Sequence, residues 1–379
     1  MKEERQGVKV YRLLGVVLLL LGLTGCWDRK EINDIAIITA AGVDLTEDKK
    51  VELSVQLYVN HAGRQQEEAD QTVVQSATGI TLADAVESLQ DTLSAQVFWG
   101  HTEVFIFGRD IARTGIEGHV DYFFRQPGPR GLAYLFVSRG KAKDILKQKP
   151  PLERSSSKSL EEIAKAQKGE GVTLKELAQM MENPAKVSII PLVATLPEQD
   201  GGPVPYIYGM GVLKKGKWAG QMDEREAQGV LWLRNRIKFV MITIPIEKHK
   251  GYVSLKMVRG RAVLSPQVKN SKWSMQVKLH AEYDVRQNTT NLNMTIPADV
   301  SIVESYAAAY TRSVIKASLN KAKNVLHADV FDFSGVFHRK YPQEWKKAVA
   351  DWERTFSEIE VDIQSTAEVL RPGVSNPHQ

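Results

Sequence analysis

Val51, Leu53, Val55, Leu57 and Val59 alternate with Glu52, Ser54, Gln56, Tyr58 and Asn60. A period of two predicts a half-buried strand. Ile35 to Val43 is a run of β-branched and small residues that predicts a buried strand, and the polar turn Asp44 to Lys50 joins the two as a hairpin. His61 to Gln71 is polar and reads as a loop. Leu82, Ala85, Val86, Leu89 and Leu93 then recur at helical spacing, with Thr81 as N-cap and Asp84 three residues on. Short strands at Val104 to Phe107 and Leu132 to Ser138 are interleaved with helices at Asp110 to Phe124 and Lys141 to Leu146. That order suggests a sheet with helices packed against it.

Lys149-Pro150-Pro151 through Ser155-Ser156-Ser157 reads as a boundary or exposed loop. Short helices follow at Leu160 to Ala166 and Leu174 to Met181, then a strand at Ile189 to Leu196. Pro197 to Pro205, with Gly201-Gly202, is the best linker candidate. Beyond it, Tyr206 to Leu213 and Trp218 to Gly220 flank Lys214 to Lys217 as a hairpin, and Ala227 to Arg234 reads as a helical turn. Val240 to Ile246 and Tyr252 to Leu264 are strand-like. Trp273, Met275, Val277, Leu279, Ala281 and Tyr283 give the cleanest alternation in the chain.

Ser301-Ile302-Val303-Glu304 has the form of a capping box and opens a long helix to about Val325. A second helix starts at Pro342, with an apolar stripe of Trp345, Val349, Trp352 and Phe356. At helical spacing the stripe reads as core rather than a partner-helix face. Ile359, Val361 and Ile363 form a last strand. The fold class is therefore α+β: mixed sheets with packed helices, the C-terminal half being an antiparallel-rich sheet with a long helix. The expected regions are 1–25 as a lipoprotein signal peptide, 26–200 with a further break near 149–158, 201–370 with two subdomains as an option, and a flexible tail at 371–379.

The N-terminus changes the picture. Lys2, Arg5, Lys9 and Arg12 precede Leu13 to Thr24, an uncharged run of twelve residues. A spanning helix needs about 20 apolar residues, so the run suits a signal-peptide h-region better than an anchor helix. The single cysteine of the chain, Cys26, follows in Leu23-Thr24-Gly25-Cys26. A thiol placed there is the acceptor for a diacylglyceryl group in bacterial lipoproteins. Two acyl chains hold a protein stably at a membrane where one holds it marginally. Cleavage before Cys26 would lower the formal charge from +5 to +3. That is a mild excess, with no clustered basic footprint for nucleic acid. With Cys26 lipidated, no disulfide and no Cys-based metal site or nucleophile remains.

Candidate catalytic motifs do not assemble. Gly211 to Lys217 fits G-x-x-x-x-G-K, but Trp218 stands where a P-loop needs Ser or Thr, in a hairpin context. His61, His101, His119, His249, His280, His327, His338 and His378 show no zinc-site spacing. His101, after Trp99-Gly100, reads as a turn histidine at the start of a strand. Asn288-Thr289-Thr290 and Asn293-Met294-Thr295 fit a glycosylation sequon but read more simply as turn and strand-edge residues.

Cys26-Trp27-Asp28-Arg29-Lys30-Glu31-Ile32-Asn33-Asp34, with a following strand ending Gly42-Val43-Asp44, resembles the start of mature Ger(x)C lipoproteins, the C subunits of spore germinant receptors. Trp99-Gly100-His101 resembles the glycine-histidine element of that family. Gly209 to Gly220, Glu304 to Val325, Phe333, Gly335, Tyr341-Pro342 and Trp345 to Trp352 follow its C-terminal order. The resemblance implies a mixed α and β protein of about three domains and a lipoprotein on the outer face of the spore inner membrane. It implies two integral membrane partners, the A and B subunits of the receptor. It also implies no enzymatic activity, no cofactor beyond the diacylglyceryl lipid on Cys26, and no site residue other than Cys26. The alternatives are a substrate-binding lipoprotein of a transporter and a cell-envelope hydrolase.

Overall fold

The computed structural model describes residues 35–58, 72–126, 128–166, 171–196 and 203–371. The expected signal peptide at 1–25, Cys26, the expected loop at 61–71, most of the expected linker and the expected tail at 371–379 beyond its first residue lie outside the described residues.

The hairpin expected from the alternation at Val51 to Val59 is present. β1 (Ile35–Leu45) and β2 (Val51–Tyr58) pair antiparallel, and their turn is closed where Thr46 Oγ1 accepts a hydrogen bond from Lys50 N at 2.9 Å. β3 (Thr72–Gly79) adds outside β2. On the other side of β1, β4 (Gln96–Phe98) and β5 (Val104–Phe107) lie end to end, both parallel to it. β6 (Tyr134–Ser138) and β7 (Val187–Thr195) continue in parallel. β8 (Pro205–Lys214) and β9 (Lys217–Met222) close the sheet as an antiparallel hairpin. The result is one nine-stranded sheet that takes its last two strands from beyond the linker.

Both faces of this sheet are covered, because the crossovers between its parallel strands must place helices on its faces. α1 (Leu82–Asp91), α2 (Arg109–Thr114), α3 (Glu117–Arg125) and α6 (Leu174–Met181) bury Leu89, Ile111, Phe123 and Leu177 with Leu53, Phe105 and Phe107. α4 (Ala142–Leu146) and α5 (Ser156–Ala166) cover the other face over Ala40, Val104, Ile106 and Phe136. Two expectations change as a result. β2 is buried on both faces, not half-buried: Ser54 Oγ pairs with Ser76 Oγ at 2.9 Å, and Gln56 Nε2 donates to Leu146 O at 3.0 Å and Ser156 Oγ at 2.9 Å. The serine run is not an exposed loop either. Ser156 opens α5, and Ser155, Ser156 and Ser157 are all buried.

α7 (Glu224–Leu233) follows β9, opened by a reciprocal capping box between Asp223 and Glu226. β10 (Met241–Ile246), β11 (Gly251–Lys269), β12 (Lys272–Asn288) and β13 (Glu360–Arg371) then form a four-stranded sheet. The strong alternation around Trp273 to Tyr283 is β12, and β13 returns parallel to it. α8 (Pro297–Asn320) packs against α7 and β13. Its start differs from the sequence reading. Pro297 occupies the first turn, Ser301 is exposed inside the helix, and Glu304 Oε1 accepts Val369 N of β13 at 2.9 Å. Proline at the first helical position lacks the N–H that would go unpaired there, so it outcompetes the later capping box.

α9 (Phe333–Lys340), α10 (Pro342–Ala348) and α11 (Trp352–Glu358) complete the fold. The helix from Pro342 is broken at Val349–Asp351, so Val349 leaves the apolar stripe and is 41% exposed. Trp345, Trp352 and Phe356 are core, as the spacing suggested, with the two indole rings 4.6 Å apart. One apolar cluster runs from Leu53 and Phe105 through Trp232 to Tyr283 and Phe356, so the two sheets share a core.

Candidate functional site

Two buried carboxylates organise the ends of helices. Asp44 closes β1, and its carboxylate accepts the backbone N–H of Ala142 at 2.8 Å and of Lys143 at 3.0 Å, at the start of α4. Burial pushes the Asp44 carboxyl up, against these two bonds. A Cβ at Gly42 would meet Ala142 Cβ at 2.9 Å, and one at Gly108 would sit 2.0 Å from Asp44 Oδ1. The Gly42-Val43-Asp44 string is thus a clamp between strand and helix. Asp329 plays the same part in the second half. It accepts Phe333 N at 3.0 Å, Ser334 N at 2.6 Å and Trp352 Nε1 at 3.1 Å, and burial pushes its carboxyl up as well.

The junction between the halves is polar. The turn Arg234-Asn235-Arg236 leaves α7 with Asn235 at φ +54°, a conformation asparagine tolerates better than most residues. Asn235 is fixed to β11 by paired bonds with the backbone of Ala262, at 2.8 and 2.9 Å. Arg234 Nε donates to Val330 O at 2.7 Å, and its Nη1 meets Met180 Sδ of α6 at 3.2 Å. Arg236 pairs with Glu176 at 3.1 Å and donates to Gly171 O. Burial pulls the Arg234 guanidinium down, while Asp332 and Asp329 oppose that shift.

Three clefts meet on this turn. One of about 400 Å³ is lined by Tyr134, Lys165, Thr173, Arg236 and Lys238. One of about 440 Å³ lies between Leu264, Phe331, Asp332 and Arg339. The third, about 290 Å³, lies beside Gln179 and Asn183. The lining is mixed in charge, with Lys165, Arg234, Arg236, Lys238 and Arg339 set against Glu176 and Asp332.

Cys26 lies outside the described residues. His101 stands exposed in the turn before β5, its ring 5.8 Å from that of Phe98, while Trp99 packs 5.7 Å from Phe123. The P-loop-like string is the β8–β9 turn, with Lys215 and Gly216 at φ +50° and +70°. Asn288 ends β12 and Asn293 stands in the segment after it, and their side chains accept Thr290 N and Thr295 N, each at 2.9 Å. Among the described residues no group of three histidine, aspartate, glutamate or cysteine side chains lies close enough to hold a metal ion. Among them, too, no helix is long and apolar enough to cross a membrane. The junction turn and Asp329 escaped the sequence reading. Asp329, four residues ahead of Phe333 at the start of a helix, was the available signal for one of them.

The fold has a solved counterpart: the GerBC protein, whose crystal structure superposes with a TM-score of 0.60 at 15% identity, over 87% of this chain and 97% of that one. Residues 28–195 match the spore germination protein N-terminal domain, and residues 208–373 match the spore germination B3/GerAC-like C-terminal domain. The chain belongs to this family of spore germination proteins. Among curated relatives from Bacillus subtilis, the putative spore germination protein YfkR is 25% identical, over 96% of this chain and 97% of that protein. Spore germination protein KC is 24% identical over 96% of each. Spore germination protein B3 is 21% identical, over 94% of this chain and 96% of the other.

Proposed function

We propose that this chain is a non-catalytic lipoprotein subunit of a nutrient germinant receptor. A diacylglyceryl thioether on Cys26 tethers it to the outer face of the spore inner membrane, where it acts as a scaffold for the integral membrane A and B subunits. The observation that carries the reading is the lone thiol of Leu23-Thr24-Gly25-Cys26, directly ahead of the family match that begins at residue 28. The core shared by the two sheets supports a scaffolding role, because a body packed this way transmits position between its surfaces.

The test is Cys26→Ala in spores. The mutant protein is expected to lose its diacylglyceryl mass, to leave the inner-membrane fraction, and to slow the response to nutrients. Membrane retention with a normal nutrient response would overturn the anchoring role.

A further inference from the structure

The parallel strands of the first sheet begin at one end of the molecule. Register aligns Ala40 of β1 with Val104 of β5, and Val104 with Tyr134 of β6. Ile35, where β1 starts, extends beyond that line. Eight residues stand between Cys26 and Ile35, so the nine steps from one to the other reach at most about 30 Å when fully extended. A lipid on Cys26 therefore holds this end of the sheet within that distance of the bilayer.

The same end carries exposed apolar side chains beside exposed cations. Leu132, two residues ahead of β6, is 74% exposed, and Phe239, ahead of β10, is 65% exposed. Phe239 sits at φ +28°, which a bulky residue rarely adopts, and such outliers persist where the surroundings hold them for a purpose. Its neighbour Lys238 lines the cleft shared with Tyr134 and Thr173, which brings the Phe239 loop beside the start of β6. Lys175 N donates to Gly131 O at 2.9 Å, so Lys175 stands next to Leu132. Arg130, Lys175 and Lys238 are exposed, and among the described residues none of them forms an ion pair. Tyr58 and Phe98 reach the same end, since Leu57 pairs with Ile38 and Phe98 with Ile37 of β1; they are 46% and 39% exposed.

We propose that this end of the first sheet is a second membrane contact, in which Leu132 and Phe239 enter the headgroup layer of an anionic bilayer and Arg130, Lys175 and Lys238 engage lipid phosphates. Apolar side chains ringed by long basic ones are what an interfacial contact requires, the cationic heads reaching the phosphates while their stems stay with the acyl boundary. The lipid anchor alone would leave the body free to rotate on its tether. This contact fixes which face looks down. The orientation rests on the Cys26 anchor proposed above.

The test uses the full lipidated chain in vesicles of equal parts phosphatidylglycerol and phosphatidylcholine. With Cys26 occupied by lipid, an introduced cysteine is the sole reactive thiol, so Leu132→Cys, Phe239→Cys and Ile80→Cys each take one nitroxide label. Ile80 is 80% exposed and follows Gly79, which pairs with Val51 at the opposite end of the sheet. Labels at 132 and 239 are expected to relax more with oxygen than with a nickel chelate, and the label at 80 to do the reverse. Lys175→Glu with Lys238→Glu is expected to return the 239 label to water, as is replacing phosphatidylglycerol by phosphatidylcholine.

Labels at 132 and 239 as wet as the label at 80, on protein that floats with the vesicles, would overturn this contact and leave the anchor standing. A chain without lipid on Cys26 would defeat the anchor reading instead. The same labels, placed in a Cys26→Ser background so that each remains the sole thiol, would then still decide the contact on added vesicles. Shielding seen only in native spore membranes would mean a protein partner covers the face, and would overturn the proposal.

Discussion

The carboxylate of Asp329 accepts the indole N–H of Trp352 at 3.1 Å while holding two backbone N–H groups at the start of α9. One buried side chain thus ties three segments of the second half together. Asp329→Ala leaves three buried donors without an acceptor, and an unpaired buried donor costs about 1–3 kcal/mol. We expect a loss of about 3 kcal/mol or more, read as a lowered denaturation midpoint. Trp352→Phe, which removes only one of the donors, should cost less than Asp329→Ala. Equal losses would show that the ring, not the hydrogen bond, carries the effect.

Gly229 of α7 touches α8 so closely that a Cβ would lie 1.9 Å from Ser318 Oγ and 3.1 Å from Val314 O. Gly229→Ala gains about 1 kcal/mol of helix propensity, but overpacking costs about 1–3 kcal/mol. The net expectation is destabilisation in thermal melts. Ser318→Gly in the same chain should recover part of it, because contacting sites are non-additive. A stabilised single mutant would mean that the two helices separate freely.

Burial pulls His119 below its ordinary value of 6.5. A base whose folded pKa is lowered stays neutral in the fold while the unfolded chain takes up protons. Its contribution is complete above pH 6.5 and is lost as pH falls toward the folded value. His119→Phe is expected to flatten that part of the stability–pH curve below 6.5, measured by urea midpoints at a series of pH values. An unchanged slope would assign it to other groups.

Arg236 and Glu176 join the two halves at 3.1 Å, with side chains 27% and 38% exposed. Exposed pairs contribute at most about 1 kcal/mol. Arg236→Glu should therefore shift global stability little, yet raise amide exchange in the stretch around Gly171 and α6. Glu176→Gln, which keeps an acceptor for Thr173 N at the start of α6 and removes only the charge, should raise exchange less than Arg236→Glu, and equal effects would deny the ion pair a part.

How much of this was legible depended on whether a residue's partners were near in sequence. β12 was read from Trp273 to Tyr283 because one face is core and the other is solvent. Ser54, Gln56 and Ser156 were misread as exposed because their polar atoms are satisfied by one another and by Leu146 and Ser76, which lie far away in the chain. β3 has no counterpart in the sequence reading, since Thr-Val-Val-Gln-Ser-Ala-Thr-Gly lacks a clean alternation and stands at a sheet edge. The Arg234-Asn235-Arg236 turn depends on Gly171, Glu176 and Val330, so no local pattern announces it.

The strand order also says when the first sheet can be finished. β7 is buried along eight of its nine residues, and its outer neighbour is β8, which begins only at Pro205. A chain synthesised only as far as Thr195 still has that edge bare, and an unpaired apolar edge recruits stray strands. Completion waits until Met222 has been added. Fragments cut at the linker are therefore expected to aggregate, and expression designs should run at least through β9.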